Sequence, residues 1–346
     1  MSVADPITPV KGPGAAMARD AAPRPSRASA WKAALLDRAS LIIPCVMLAA
    51  LLGLYASLRD GVFTIDELNL DTAAAMTLLL AATGQTIVLL RGGIDLSIGG
   101  MISLGTVLAA TRFGTDPAQA TAWAFGIVAI GALVGALNGM LITVLRLQPF
   151  LVTLATWSIL SGTAMIILPT DGGSLPTGWT MFGVTSWLGL STSVWLLALL
   201  LVFWFWFKRT RLGIAIRATG SNERSAFLSG VSPIGINITT YGLSGLFAAL
   251  AALYLTTQTG AGSPTIGKDY ILPSVAAAVI GGISLFGGRG GLVGTVIGAF
   301  ILTIIGNLVF VLEVSSYWQP IVSGIILLVA VLASSIAEKS ARRSLS

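Results

Sequence analysis

The sequence predicts an all-helical, polytopic membrane protein. Three observations carry this: hydrophobic residues make up 55% of the 346 positions, charged residues only 10%, and mean hydropathy is +0.89. A soluble domain carries roughly 25% charged residues. At about 20 residues per crossing of a core roughly 30 Å thick, the chain accommodates ten spans, short loops and a tail, and no separate soluble domain.

Residues 1–39 are rich in Ala, Pro, Ser and Arg and lack apolar periodicity, which predicts a disordered tail rather than a cleaved leader. Uninterrupted apolar runs then predict spans at 40–58, 72–90, 94–112, 121–145, 150–168, 190–207, 234–256, 270–286, 290–312 and 317–336. The membrane domain is thus 40–336, with a polar loop at 208–233 and a C-terminal tail at 337–346. Ten spans place both termini on one side, and seventeen of the 20 Lys and Arg residues fall on that side. By the positive-inside rule it is cytoplasmic. The excess charge, +6 with a pI near 9.8, is therefore spent on orientation and does not point to nucleic acid. Trp157, Trp179, Trp187, Trp195, Trp204, Trp206 and Trp318 lie mostly near span ends and read as interfacial anchors.

Two phrases break the apolar pattern, GGIDLSIGG at Gly92–Gly100 and GGISLFGGRGG at Gly281–Gly291. Gly92, Gly93, Gly99, Gly100, Gly281, Gly282, Gly287 and Gly288 weaken helices and free backbone groups that lipid cannot satisfy. Irregular backbone at membrane depth survives where it is packed in protein or lines a cavity, so paired breaks point to a translocation path. Asn138 precedes a run ending in Gln148–Pro149, as Asn307 precedes one ending in Gln319–Pro320, which extends the likeness into a possible internal duplication. Asp95 is the carboxylate deepest in the apolar region. A charge there costs roughly 2.5–3.5 kcal/mol on insertion scales, so it must face protein or water, with Arg91 as partner or as a cap on the next helix. Gln85, Ser97, Asn138 and Asn307 are uncharged polar groups in apolar surroundings, suited to a hydroxylated solute or to bonds between helices.

Histidine is absent and Cys45 is the single cysteine, which excludes a disulfide framework and His or Cys metal sites within one chain. No paired intramembrane carboxylates offer acid–base chemistry, so no catalytic residue is expected. GSPTIGKD at Gly262–Asp269 resembles a phosphate-cradling loop, but Asp269 stands where that loop needs Ser or Thr, and the strand context is missing. Any ATP-driven step must then come from another polypeptide. The 208–233 loop contains a candidate short helix: Ser221 or Asn222 as N-cap, Glu223 in the first turn, an apolar Ala226–Phe227–Leu228 face and Gly230 as terminator. Such a helix is too short to stand alone, and the loop reads equally as a docking element or as a solvated, topology-fixing stretch.

With these motifs in place, the chain resembles the permease subunits of bacterial ribose-type ABC importers. The resemblance runs from about Leu41 to Ala333 through GGIDLSIGG, the Asn138–Gly162 stretch, GSNERSAFLSGVS, YILPSVAAAVIGGISLFGGRGGLVGT and SSYWQPIVSGIILLVAVL. It implies an inner-membrane protein with no cofactor of its own, paired with a second permease, identical or similar. It also implies a pair of cytoplasmic ATPases that bind ATP and Mg, and a periplasmic solute-binding protein. On this sequence the family's ATPase-coupling loop matches Asn222, Glu223, Ala226, Leu228, Ser229 and Gly230. Arg224 and Ser225 replace the Glu-Ala common there. Ile271 and Pro273 stand after Tyr270, where ribose-type members often carry two acids, which points away from ribose itself. The implied function is uptake of a small polar solute, a monosaccharide or polyol, by alternating access; related permeases for branched-chain amino acids, urea or nucleosides, and a stand-alone ion-coupled carrier, are the competing readings.

Overall fold

Thr64 starts a long, largely enclosed helix by accepting a hydrogen bond from the Glu67 amide at 3.3 Å, with Asp66 and Glu67 favourably placed in its first turn. That helix, α2 (Ile65–Arg91), is buried continuously from Ala75 to Leu90. In a computed structural model of the chain, the described residues are 27–313 together with 315, 317, 318, 321, 324, 325 and 328. The chain divides into two units, Met1–Arg38 and Ala39–Ser346, and apart from the start of the first helix everything discussed below lies in the second.

Helices dominate in the expected places: α1 (Arg27–Leu58), α2, α3 (Ser97–Arg112), α4 (Pro117–Val144), α5 (Pro149–Ile167), α6 (Thr177–Val184), α7 (Thr192–Phe207), α8 (Arg211–Ser221), α9 (Glu223–Leu228), α10 (Pro233–Thr259), α11 (Lys268–Ile280) and α12 (Leu292–Val311). Helix α1 starts well before the expected first span, inside the stretch read as a tail; the expected tenth span and C-terminal tail lie largely or wholly outside the described residues. One departure from an all-helical chain is a two-residue hairpin, β1 (Ser186–Trp187) with β2 (Leu190–Ser191). Its turn residues Leu188 and Gly189 both have positive φ, the signature of a tight hairpin turn.

Proline opens α4, α5 and α10, where its missing amide is not needed. Helix α10 is the main neighbour of both α4 and α2, and small residues bring the backbones together: Gly131, Gly135 and Gly139 of α4 lie against Gly245, Tyr241 and Asn237. Outward faces stay apolar, as with Phe125, Leu133, Ile159, Ile166, Val202 and Phe310, consistent with a lipid solvent. At one end Arg59 donates to the Tyr55 hydroxyl (2.6 Å) and to Glu67 (2.8 Å), contacts that raise its pKa above the ordinary guanidinium value.

Among the described residues, six helices are long and apolar enough to cross a membrane, or seven if α7 and α8, bent by 73° at their junction, count as one. Three expected spans are short on their own: α7, which α8 can extend, and α3 each have 16 residues and α11 has 13, so at about 1.5 Å per residue α3 and α11 reach about 24 and 20 Å of a roughly 30 Å core. Helices α3 and α11 are each preceded by irregular, non-helical chain, residues 92–96 before α3 and 260–267 before α11.

Candidate functional site

The two short helices begin beside each other. Residues 260–267 run along α3 from its far end back to its start: Ser174 donates its amide to the Ala110 carbonyl (3.1 Å), Gly172 and Gly262 exchange backbone bonds (3.0 and 2.8 Å), and the Thr106 hydroxyl donates to the Ser263 carbonyl (3.1 Å). At the end of this run the Gly267 amide donates to Ser103 Oγ at 3.1 Å, and Gly267 lies so close to the Gly99 carbonyl that neither position leaves room for a side chain. From there α3 proceeds toward Ala110, while α11 runs the other way until Ala278 packs on Leu89 and Ile94. Two half-length helices thus leave one level in opposite directions.

The start of α3 is built from side chains. Asp95 Oδ1 accepts from the Ser97 amide (2.9 Å) and the Ser97 hydroxyl (2.5 Å), and Oδ2 accepts from Ser244 of α10 (2.7 Å). Asn138 donates to Ser97 Oγ (3.0 Å) and accepts from Thr156 (2.6 Å), tying α4 and α5 into the same chain of bonds. Asp95 is fully enclosed, and neither ion pair among the described residues includes it. Its charge is met by three donors and the positive end of α3. Arg91, the alternative partner read from the sequence, instead reaches Glu223 at 2.9 Å. Gln85 of α2 is fully buried with neither amide atom bonded, and the buried Tyr241 hydroxyl is likewise unpartnered.

The polar loop forms a second feature. Asn222 accepts the Ser225 amide at 2.9 Å and so caps α9. Gly230, with φ +87°, closes α9 with amide bonds from Gly230 to Phe227 (2.9 Å) and from Val231 to Ala226 (3.1 Å). Ala226 turns inward, while Phe227 and Leu228 are 61% and 78% exposed. Just before the cap, Gly220 presses on the Leu90 carbonyl with no space for a Cβ, and the same carbonyl accepts the Gly288 amide at 2.9 Å. Gly287 lies against Gly220 and Gly92. The last turn of α2, the entry to α9 and the second glycine phrase therefore meet backbone to backbone.

A family model described as the permease component of branched-chain amino acid transport systems matches residues 72–331. The chain belongs to this permease family. The permease is 37% identical over 309 residues to ribose import permease protein RbsC of Escherichia coli strain K12, covering 87% of this chain and 94% of that protein. It is 38% identical to RbsC of Bacillus subtilis strain 168 (78% and 84% covered) and 32% identical to the D-allose transport system permease protein AlsC of E. coli K12 (82% and 88%). No solved structure matches. The resemblance to ribose-type importer permeases is thus borne out, and the permease is a multi-pass inner-membrane transport protein.

Of the polar residues singled out by sequence, the structure brings Asp95, Ser97 and Asn138 of the permease into one network and leaves Gln85 buried without a partner. Asn307 stands apart, donating to Asp71 at 2.7 Å. Gly92 and Gly93 form the break before α3, and Gly99 and Gly100 lie in its first turn. Gly281 ends α11, and Gly282, Gly287 and Gly288 lie in the loop to α12. Sequence reading missed Ser244, Tyr241 and Ser103, which sit in ordinary-looking helical runs. It also missed 260–267 as structural backbone, although its Gly and Pro content signalled a break.

Proposed function

We propose that the permease carries a small polyhydroxylated solute inward through the inner membrane by alternating access, driven by ATP hydrolysis in a separate cytoplasmic subunit. The observation that carries this is α9: a capped helix of six residues that exposes Phe227 and Leu228 and is tied to α2 by Arg91–Glu223. A helix this short needs packing from outside itself, and two exposed apolar side chains on a polar loop suit the groove of a partner ATPase. Asn222, Glu223, Ala226, Leu228, Ser229 and Gly230 form the coupling element. The glycine junction at Gly92, Gly220 and Gly288 passes its displacement to α2 and to the second phrase. Bound ATP and Mg belong to the ATPase, a periplasmic binding protein delivers the solute, and a second permease, identical or similar, completes the pore.

In this reading ten spans place both termini in the cytoplasm. Helices α3 and α11, each with its irregular approach, are broken spans, and the two glycine phrases, one after α2 and one after α11, mark the parts of an internal repeat. Gln85, Asp95, Ser97 and Asn138 line the path, with Asn307 nearer one end. The relatives named for ribose and D-allose favour a monosaccharide or polyol over an amino acid, and the scarcity of buried cations and carboxylates agrees.

The test is the Glu223→Ala/Gly230→Val double variant in full-length chain. It should remain folded and membrane-inserted, yet lose co-purification with the cognate ATPase and lose solute uptake. Intact assembly and uptake would refute the docking role of α9.

A further inference from the structure

The start of α3 is surrounded by more hydrogen-bonding capacity than the protein itself uses. Gln85 has no solvent exposure and both its amide atoms are unbonded; Tyr241 is 1% exposed with a free hydroxyl. Leaving such groups unpaired costs about 1–3 kcal/mol each, so a fold retains them where another state or a ligand repays them.

Both groups face the same place. On α2, Gly84 lies against Ser244 and Phe247 of α10, Val88 clusters with Tyr241, and Leu89 packs on Ala278, Ile283 and Ile94. By helical rotation Gln85 falls between the Gly84–Val88 face and the Leu89 face, so it points into the wedge between α10 and α11. The chain approaching α3 occupies that wedge, with Ile94 on Leu89 and Asp95 on Ser244. The Tyr241 hydroxyl abuts Gly93 in the same segment. A carboxylate with spare lone pairs, an amide that donates and accepts, and a phenolic hydroxyl thus surround one helix start.

We infer that Gln85, Tyr241 and Asp95 form a recognition site for the hydroxyl groups of the transported solute at the N-terminal end of α3, closed over in this conformation. The site rests on the importer reading above and makes it specific. Asp95 accepts from a solute hydroxyl, and the Gln85 amide brackets a neighbouring oxygen. Tyr241 supplies a donor that becomes reachable when the 92–96 segment shifts away from α10. Asp95 already receives three donors, and Gln85 and Tyr241 are neutral groups that donate and accept, so a neutral polyol, whose hydroxyls do both, satisfies every group.

The experiment uses the permease reconstituted in vesicles with its ATPase and binding protein. It compares uptake of the best sugar from a panel with that of its monodeoxy analogues, each loaded on the binding protein to the same occupancy. The wild type should discriminate against at least one deoxy analogue by about tenfold, the scale of one lost hydrogen bond in a dry site. Gln85→Met removes the unpaired amide at similar volume, and the variant should fold at least as well as wild type while losing most of that discrimination. Tyr241→Phe, which deletes one oxygen, should relax selectivity at a different hydroxyl and provides the same readout should Gln85→Met assemble poorly. Wild-type discrimination in both variants would mean that these groups serve only internal water, and would overturn the site while leaving the importer reading intact. No ATP-driven uptake of any panel member by the wild-type complex would instead overturn the importer reading and the site with it.

Discussion

The starts of α3 and α11 solve the same problem by different means. Each half-length helix begins beside the other after a stretch of irregular chain, and each has first-turn amides that need acceptors. At α3 the solution is a carboxylate: Asp95 takes the Ser97 amide and the hydroxyls of Ser97 and Ser244. At α11 no side chain of the flanking chain caps the helix; Ser103 receives the Gly267 amide, and the glycine itself fits against the Gly99 carbonyl. One start depends on chemistry and the other on the absence of a side chain. The difference leaves polar side-chain chemistry at the start of α3 and close backbone packing at the start of α11.

The largest expected effect lies at the start of α11. Gly267→Val would drive a branched side chain into the Gly99 backbone, which cannot yield as a flexible side chain could; a destabilisation of about 3 kcal/mol, at the upper end for overpacked interiors, is expected. Detergent-solubilised protein should show a lower unfolding midpoint and a smaller monodisperse fraction. Next comes Asp95→Ala, which orphans an amide and two hydroxyls but also removes a buried charge, for a net loss of about 2 kcal/mol. Asp95→Asn, which keeps one acceptor oxygen, should fall between Ala and wild type in the same unfolding measurement. If Asp95→Ala were neutral, the contrast between the two helix starts would disappear. The smallest effect belongs to Ser103→Ala, which removes one neutral acceptor and should cost about 1 kcal/mol. A loss there equal to that of Asp95→Ala would show that α11 depends on side-chain chemistry as much as α3 does.

How far each start was legible in the sequence follows from the same contrast. A lone Asp in an apolar run, followed by Ser two residues later, announces a buried cap, and Asp95 was readable as one. The start of α11 was hidden because its determinants are distant: Ser103 lies 164 residues from Gly267. The segment containing it also resembles a phosphate loop closely enough to be read only as a failed one.

The two GGI phrases looked like equivalent breaks, and locally they are. Gly92 and Gly282 both adopt left-handed φ, and each is the first of two residues whose amides close the preceding helix in the same pattern, a register shift of one residue between the phrases. In three dimensions, however, the irregular approach to α11 is 260–267 rather than the second phrase, so the likeness between the phrases did not reveal which segments meet. Long apolar runs placed nine expected spans on helices because burial in lipid leaves little choice of backbone. Helix length was less visible, since α3 and α11 are as apolar as full spans. Arg91 could not be assigned from sequence either: Asp95 is four residues away, but the glycine turn carries it out of reach and Glu223 arrives from the polar loop instead.

The most direct test of the account is solute uptake into vesicles containing the permease, its binding protein and ATP, with the cognate ATPase present or omitted. Uptake that requires the ATPase and stops when its ATP hydrolysis is blocked is the predicted result. Uptake by the permease alone, at a rate unchanged by the ATPase, would contradict it and make this chain an autonomous carrier.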